Sequence, residues 1–428
     1  MRRIIINEPN FIEPFNETAR DLRVQNKPLW LWQRDLLVKH ATEEREYPDW
    51  EVARLAETET VACLVHRDNL FFNQLLIDEF VERAVAGGRS VRLAFSVDDP
   101  AIAKHVRPLT HSFFQKGDLL LADMWYLPKG IGQSLEAEPL VIDTEARERG
   151  YYHIPPYMAS EFGDLVYQLP KKVFVLVENW VHLFIADILL GVFTQGANVE
   201  DQVAKSWQYK LKIMRRSILE QKRFLSNSEL VKVGKNVHID PTAVIHGYTT
   251  IGDNVTIGAG AVIDNCIIGS NVTVSQGCQL LLSVVSDGCF LPFRAALFMT
   301  TLMENTSVAQ NSCLQLCVIG RDSFIGAGNT FTDFNILGGP LKTINHEGKL
   351  EATNLLVLGG CVGHHCRLSS GAIIYAARTI ESDVVLLASD DRQFITKNVT
   401  YEQSDHHAHK ATYKYPRLYP RKGEQGTF

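Results

Sequence analysis

From Val233 onward an aliphatic side chain returns every sixth residue, and a small or branched one follows it four positions later: Val233/Val237, Ile239/Ala243, Ile245/Thr249, Ile251/Val255 and Ile257/Ala261. A spacing of six fits neither the period of about 3.6 of an amphipathic helix nor the period of about 2 of a half-buried strand, and strict recurrence marks stacked repeating units. Each hexad supplies one short, flat strand with its aliphatic side chain inward. Three hexads close a triangular turn whose backbone bonds to the turns above and below. Gly and Asn between the strands suit tight corners, where a positive φ costs them little. The pattern predicts a left-handed parallel β-helix.

The repeat is not uniform. Its register slips by one residue at Ile268, resumes through Val274, blurs around Leu280 to Ser283, and returns at Val285, Leu291, Leu297, Met303 and Ala309. It slips again before Ile319, Ile325 and Phe331. Residues 336–353, with Gly338, Gly339 and Pro340, read as a loop leaving the coil, and the hexads resume at Leu356, Val362, Leu368, Ile374 and Ile380. Grouping hexads in threes gives roughly seven turns.

The first half lacks hexads. Apolar runs alternate with amphipathic stretches: Arg3 to Ile6, Lys27 to Lys39, Val61 to Val65, Leu75 to Ala86, Val91 to Val97, Leu119 to Leu121 and Val173 to Val177. Such alternation predicts an α/β domain with a largely parallel sheet. Val203, Trp207, Leu211, Met214 and Ile218 stand at helical spacing between Asn198 and Leu225, a helical connector expected to pack between two domains. The expected organisation is an α/β domain over 1–196, a connector over 197–230, the coil over 231–392 and a polar, basic, Tyr- and Pro-rich surface tail over 393–428.

A formal net charge of -6 argues against general affinity for nucleic acid or an anionic membrane. Only three apolar residues precede Asn7 and Glu8, too few for a secretory signal, so a cytoplasmic location is expected. Val173 to Phe193 is the most apolar stretch, but Glu178, Asn179, His182 and Asp187 interrupt it, so it reads as core strand and helix. The eight cysteines form no CxxC pattern. Cys278, Cys289, Cys313 and Cys366 fall where the repeat wants a small inward residue and are expected as reduced core thiols.

An α/β domain joined by a helix to such a coil resembles the sugar-1-phosphate nucleotidyltransferase family, most closely its two-domain form, the bifunctional UDP-N-acetylglucosamine pyrophosphorylase and glucosamine-1-phosphate N-acetyltransferase. The resemblance implies a Rossmann-like, nucleotidyltransferase-like first domain. Pro14, Thr18 and the run Lys27-Pro28-Leu29 keep the family's frame, but its Gly-rich loop is replaced by Asn7-Glu8-Pro9-Asn10-Phe11. Pro9 removes a backbone donor and Glu8 adds a charge that repels phosphate. The family's activating Lys has no clear counterpart, and Arg20 and Arg23 could replace its charge in part. With Lys27 they are the residues that the resemblance assigns to substrate. Asp68, ending Leu64-Val65-His66-Arg67, stands where the family binds Mg²⁺, with Glu178 as a substitute second ligand; a strand-end polar role competes for Asp68.

In the coil the resemblance implies acyl transfer from acyl-CoA, with a His as general base. Ser307-Val308-Ala309-Gln310-Asn311 and Ile325-Gly326-Ala327-Gly328-Asn329-Thr330 keep the frame, with Asn335 beyond as a substrate contact. The expected His falls on Gln310 or Asn311, and neither can take a proton. His346, in the looped-out segment, is the remaining candidate. Zinc held by His246, His364 and His365 is disfavoured by their spacing. The implied molecule is a homotrimer that takes a sugar phosphate or sugar nucleotide, either as a divergent transferase or as a non-catalytic relative that binds a sugar nucleotide or a protein.

Overall fold

The computed structural model describes residues 1–132, 136–152, 165–222, 224–336, 339–345, 347–409 and 413–426. The chain divides into two compact units: Met1–Ile12 with Glu17–His182, and Glu13–Asn16 with Leu183–Phe428. The division falls after His182, ahead of the expected position 196, because the apolar helical segment Ile185–Phe193 packs with the coil: Asp187 accepts a hydrogen bond from Thr301 at 2.9 Å. The continuous helical stretch Trp180–Lys205 is long and apolar enough to cross a membrane, yet 83% of its most apolar window is buried.

The first unit is built on a mixed sheet, whose strands lie in the order Glu138–Val141, Val91–Ser96, Leu119–Leu127, Cys63–Arg67, Arg2–Ile6, Glu43–Tyr47. Arg2–Ile6 runs parallel to both of its neighbours, and Glu138–Val141 is parallel to Val91–Ser96. Leu119–Leu127 is antiparallel to both of its neighbours and to Phe114–Lys116, which corrects the expectation of a largely parallel sheet. Ile4, Ile6, Cys63, Val65, Trp125 and Leu127 form one core cluster. The edge strand Glu43–Tyr47 has no apolar run to announce it, being held by charge: Arg2 meets Glu43 at 2.9 Å and Arg3 meets Glu44 at 2.6 Å. Charged edges also discourage pairing with other chains. The helix Gln74–Gly87 starts where the Asn73 side chain accepts the Leu76 N–H and stops at Gly88, whose φ is 62°.

The coil consists of three parallel sheets of eight strands each, so it has eight turns where hexad counting gave about seven. The inward residues explain the slips. Ile251, Ile257, Ile263 and Ile268 advance by six, six and five, and Ile251, Ile268, Val285, Leu302 and Ile319 then recur every seventeen residues, all buried in one core. The register is therefore regular with a short third corner. Leu302 and Val308 face the core, in place of the expected Met303 and Ala309. Each short corner carries a residue with positive φ: Asn265 (49°), Leu282 (49°), Met299 (47°) and Leu316 (51°). At another corner Asn236, Asn254 and Asn271 stack, each bonded to the next at 3.1 Å.

Cys266, Cys278, Cys289, Cys317 and Cys366 fill the coil interior as small hydrophobes, and burial pushes each thiol above its usual range. Cys313 is half-buried and lies outside that cluster, because its strand Cys313–Gln315 turns Leu314 inward. Two further expectations change. The tail is folded onto the coil: Tyr415 is buried and stacks on His365 at 4.4 Å, and its hydroxyl donates to the His365 carbonyl at 2.5 Å. In the connector, Trp207, Leu211, Met214 and Ile218 are exposed, while Ile213 and Ser217 face inward.

Candidate functional site

The parallel strands Arg2–Ile6 and Cys63–Arg67 point their carboxyl ends at Asp68, which the preceding strand leaves buried. Its Oδ1 accepts the Glu8 N–H at 2.8 Å, and its Oδ2 lies 3.5 Å from Arg20 Nη1. Arg20 also pairs with Glu46 at 2.5 Å and donates to Asn7 Oδ1 at 3.2 Å. Glu8 in turn meets Arg67 at 2.8 Å. Burial pushes the Asp68 carboxyl up to about 6, against the opposing pull of the Glu8 N–H and Arg20.

Of the residues assigned to this end of the first unit, Arg20 and Asp68 come together, and the others are engaged elsewhere. Arg23 donates to the Asn26 carbonyl at 2.8 Å, and Lys27 pairs with Asp35 at 2.8 Å on the surface. The Glu178 carboxylate accepts from the His111 N–H at 2.7 Å, the Ser112 N–H at 3.3 Å and the Ser112 hydroxyl, which ties down that loop. Magnesium keeps several waters and is usually held by one or two free carboxylates together with phosphate oxygens of the substrate. Asp68 and Glu178 as placed do not fit that ion. The first faces a guanidinium, the second is satisfied by N–H and O–H donors, and among the described residues no three His, Cys, Asp or Glu groups gather in a metal-binding cluster. Asn69, next to Asp68, is buried with neither side-chain polar atom bonded, but it brings no charge to offset Arg20.

The second unit offers a different site. Between the coil strands Thr330–Phe331 and Cys361–Val362 the chain leaves the coil as an antiparallel hairpin, Lys342–Ile344 with Leu350–Ala352. Beside this hairpin lies a cavity of about 710 Å³, lined by Phe334, Asn335, Lys342, Leu350, Ile373, Tyr375, Arg378 and Phe394 among others. Arg378 Nε donates to the Ala376 carbonyl at 3.1 Å, and burial lowers the affinity of its guanidinium for the proton. Neither Lys342 nor Arg378 has a carboxylate partner among the described residues. A half-buried cation without a counter-ion costs free energy that a bound anion repays. Apolar walls with the half-buried Arg378 guanidinium and the exposed Lys342 amine make a site for a molecule with an anionic end.

Asn335, expected as a substrate contact, lines this cavity. Asn311 is an exposed corner residue with φ 55°, in the position that Gly277, Arg294 and Gly328 take in other turns, and is not among the lining residues. His346 lies outside the described residues. Lys342, Tyr375 and Arg378 were not singled out from the sequence. Their one signal is positional: Lys342 sits in the segment that leaves the coil, and Arg378 interrupts an otherwise uncharged stretch from Ser369 to Ile380.

The fold and the repeat define the class, a left-handed β-helix of the bacterial hexapeptide kind in a chain that also carries a mixed α/β unit. The family model described as bacterial transferase hexapeptide (six repeats) matches residues 231–265. Within that class the chain is similar over part of its length to the GlmU bifunctional proteins. It is 28% identical to the bifunctional protein GlmU of Baumannia cicadellinicola subsp. Homalodisca coagulata over 216 residues, 47% of this chain and 46% of that one. It is also 28% identical to that of Synechococcus elongatus over 196 residues, 40% of this chain and 41% of that one. The chain thus spans less than half the length of the curated relatives it matches. Among solved structures, the UDP-N-acetylglucosamine O-acyltransferase (LpxA) of Moraxella catarrhalis RH4 aligns with 36% of this chain and 68% of its own, at 13% identity and a TM-score of 0.22.

Proposed function

We propose that the protein is a divergent transferase that acts on a phosphorylated sugar or sugar nucleotide through its coil, and that its first unit does not carry out magnesium-dependent nucleotidyl transfer. The observation that carries this reading is the half-buried Arg378, which lines the cavity beside the looped-out hairpin together with the exposed Lys342, neither with a carboxylate partner among the described residues. Lys342 and Arg378 hold the anionic group, Asn335 and Tyr375 contact the sugar, and acyl-CoA is the co-substrate. In the reaction a sugar hydroxyl or amine attacks the thioester carbonyl, its proton passes to His346 as general base, and the thiolate of coenzyme A leaves. Asn311 can donate a hydrogen bond but takes no proton. The working assembly is a homotrimer.

Isothermal titration with UDP-N-acetylglucosamine and with glucosamine 1-phosphate tests the site. A charge-assisted hydrogen bond is worth about 1.5–3 kcal/mol, so Arg378→Ala and Lys342→Ala should each weaken binding roughly ten- to a hundredfold. With acetyl-CoA present, release of free thiol should follow binding and should be lost in His346→Asn. Binding without turnover in any combination points to the non-catalytic alternative, and absence of binding removes the sugar-phosphate reading.

A further inference from the structure

The helix Trp207–Glu220 is fastened on one side only. The Asn227 amide donates to the Ser217 hydroxyl at 2.8 Å and to the Ile213 carbonyl at 3.3 Å, and Ile213 is fully buried. At a turn of about 100° per residue, Trp207, Leu211, Met214 and Ile218 form a stripe well away from that fastened side. They are 71%, 46%, 46% and 70% exposed. Four large apolar side chains in one exposed row go beyond the scattered surface hydrophobes that need no explanation.

The charges bordering the stripe indicate what covers it. By the same geometry Lys210 lies along one border and Arg215 along the other, and neither has a carboxylate partner among the described residues. Lys212 and Arg216, farther round the helix, are paired with Glu229 at 2.6 Å and Glu220 at 3.3 Å. The uncompensated positive charge is therefore concentrated beside the apolar row. Long basic side chains at such borders can extend their charges to a polar layer while their stems lie on apolar surface. We infer that this helix docks on an anionic lipid surface, with Trp207, Leu211, Met214 and Ile218 entering the headgroup boundary and Lys210 and Arg215 meeting lipid phosphates. Self-pairing of the helix about a twofold axis is disfavoured, because Lys210 and Arg215 of two copies would meet with no carboxylate along that face. The net charge of -6 describes the whole chain, whereas this surface is a local exception to it.

The test is co-sedimentation of the full chain with phosphatidylcholine vesicles that contain or lack phosphatidylglycerol. Binding is expected only with phosphatidylglycerol, and it should fall as salt rises. Each of Lys210→Glu and Arg215→Glu should weaken it at least fivefold, on the basis of roughly fivefold per basic residue near such a surface. Leu211→Ser with Ile218→Ser should abolish it. All these positions are exposed, so the variants should keep the parent circular dichroism. No binding, equal binding to neutral vesicles, or indifference to these substitutions would overturn the inference. So would dissociation of an oligomer by Leu211→Ser with Ile218→Ser, since a second copy would then be the occupant.

Discussion

Burial and charge oppose each other at Asp68. Its carboxyl is raised from 3.8 to about 6 because desolvation outweighs Arg20 and the Glu8 N–H. A group that binds protons more tightly when folded contributes its full stability below the unfolded pKa and loses it as pH rises through the folded one. Asp68 should thus cost the fold on the order of 2 kcal/mol above about pH 6. Asp68→Asn should remove that dependence, so urea unfolding between about pH 4 and 7 should give the variant the flatter profile. His66 and His105 act in the opposite sense. Both are fully buried and lowered to about 3, so their contribution is intact above about pH 6.5 and declines as pH falls. His105→Gln, which keeps an acceptor for the Gln168 N–H, should make acid unfolding less steep. Asp68 was legible in the sequence because a strand-end acid after an apolar run is a local signal. Arg378 and Lys342 were not, because a missing counter-ion depends on which residues surround a side chain in space.

At the scale of elements, the hexads were legible because each inward aliphatic obeys a local period. The seventeen-residue cycle looked like slips because the short corner is set by backbone geometry, and Asn265, Leu282, Met299 and Leu316 share no side-chain chemistry that marks it. The corners differ in tolerance. A Cβ on Gly247, whose φ is 65°, would lie 2.5 Å from Asn265 Oδ1, whereas one on Gly260, at the same φ, meets nothing within 4 Å. Gly260→Ala should cost about 1 kcal/mol, the price of a left-handed L-residue, and Gly247→Ala clearly more; thermal unfolding of the two variants checks the order. The edge strand Glu43–Tyr47 escaped notice because ion pairs to Arg2 and Arg3 do the work that apolar residues do elsewhere. In Trp207–Glu220 the periodicity correctly marked a helix, but the amphipathic pattern did not say which face was covered.

Over the whole molecule, the tail was expected to be a surface appendage and is part of the second unit's structure. Asp383, fully buried, accepts from the Tyr419 N–H at 2.7 Å and meets His365 at 2.8 Å, while Glu381 pairs with Arg421 at 2.5 Å and accepts from Asn16 at 3.0 Å. Composition marked these residues as polar and said nothing of buried carboxylates waiting for them. Ending the chain before Tyr413 should deprive Asp383 of the Tyr419 N–H and Glu381 of Arg421, and lower the thermal midpoint by several degrees, since removing one partner of a buried ion pair costs about 3 kcal/mol or more. In sedimentation velocity the intact protein should run as three chains.

On this reading the substrate sits in the coil cavity and not at Asp68. The most direct measurement is titration of UDP-N-acetylglucosamine into the parent protein, Arg378→Ala and Asp68→Asn, each with Mg²⁺ and with a chelator. Binding by the parent and by Asp68→Asn should be indifferent to Mg²⁺, and it should be lost in Arg378→Ala. Binding that requires Mg²⁺, disappears in Asp68→Asn and survives in Arg378→Ala would contradict this reading.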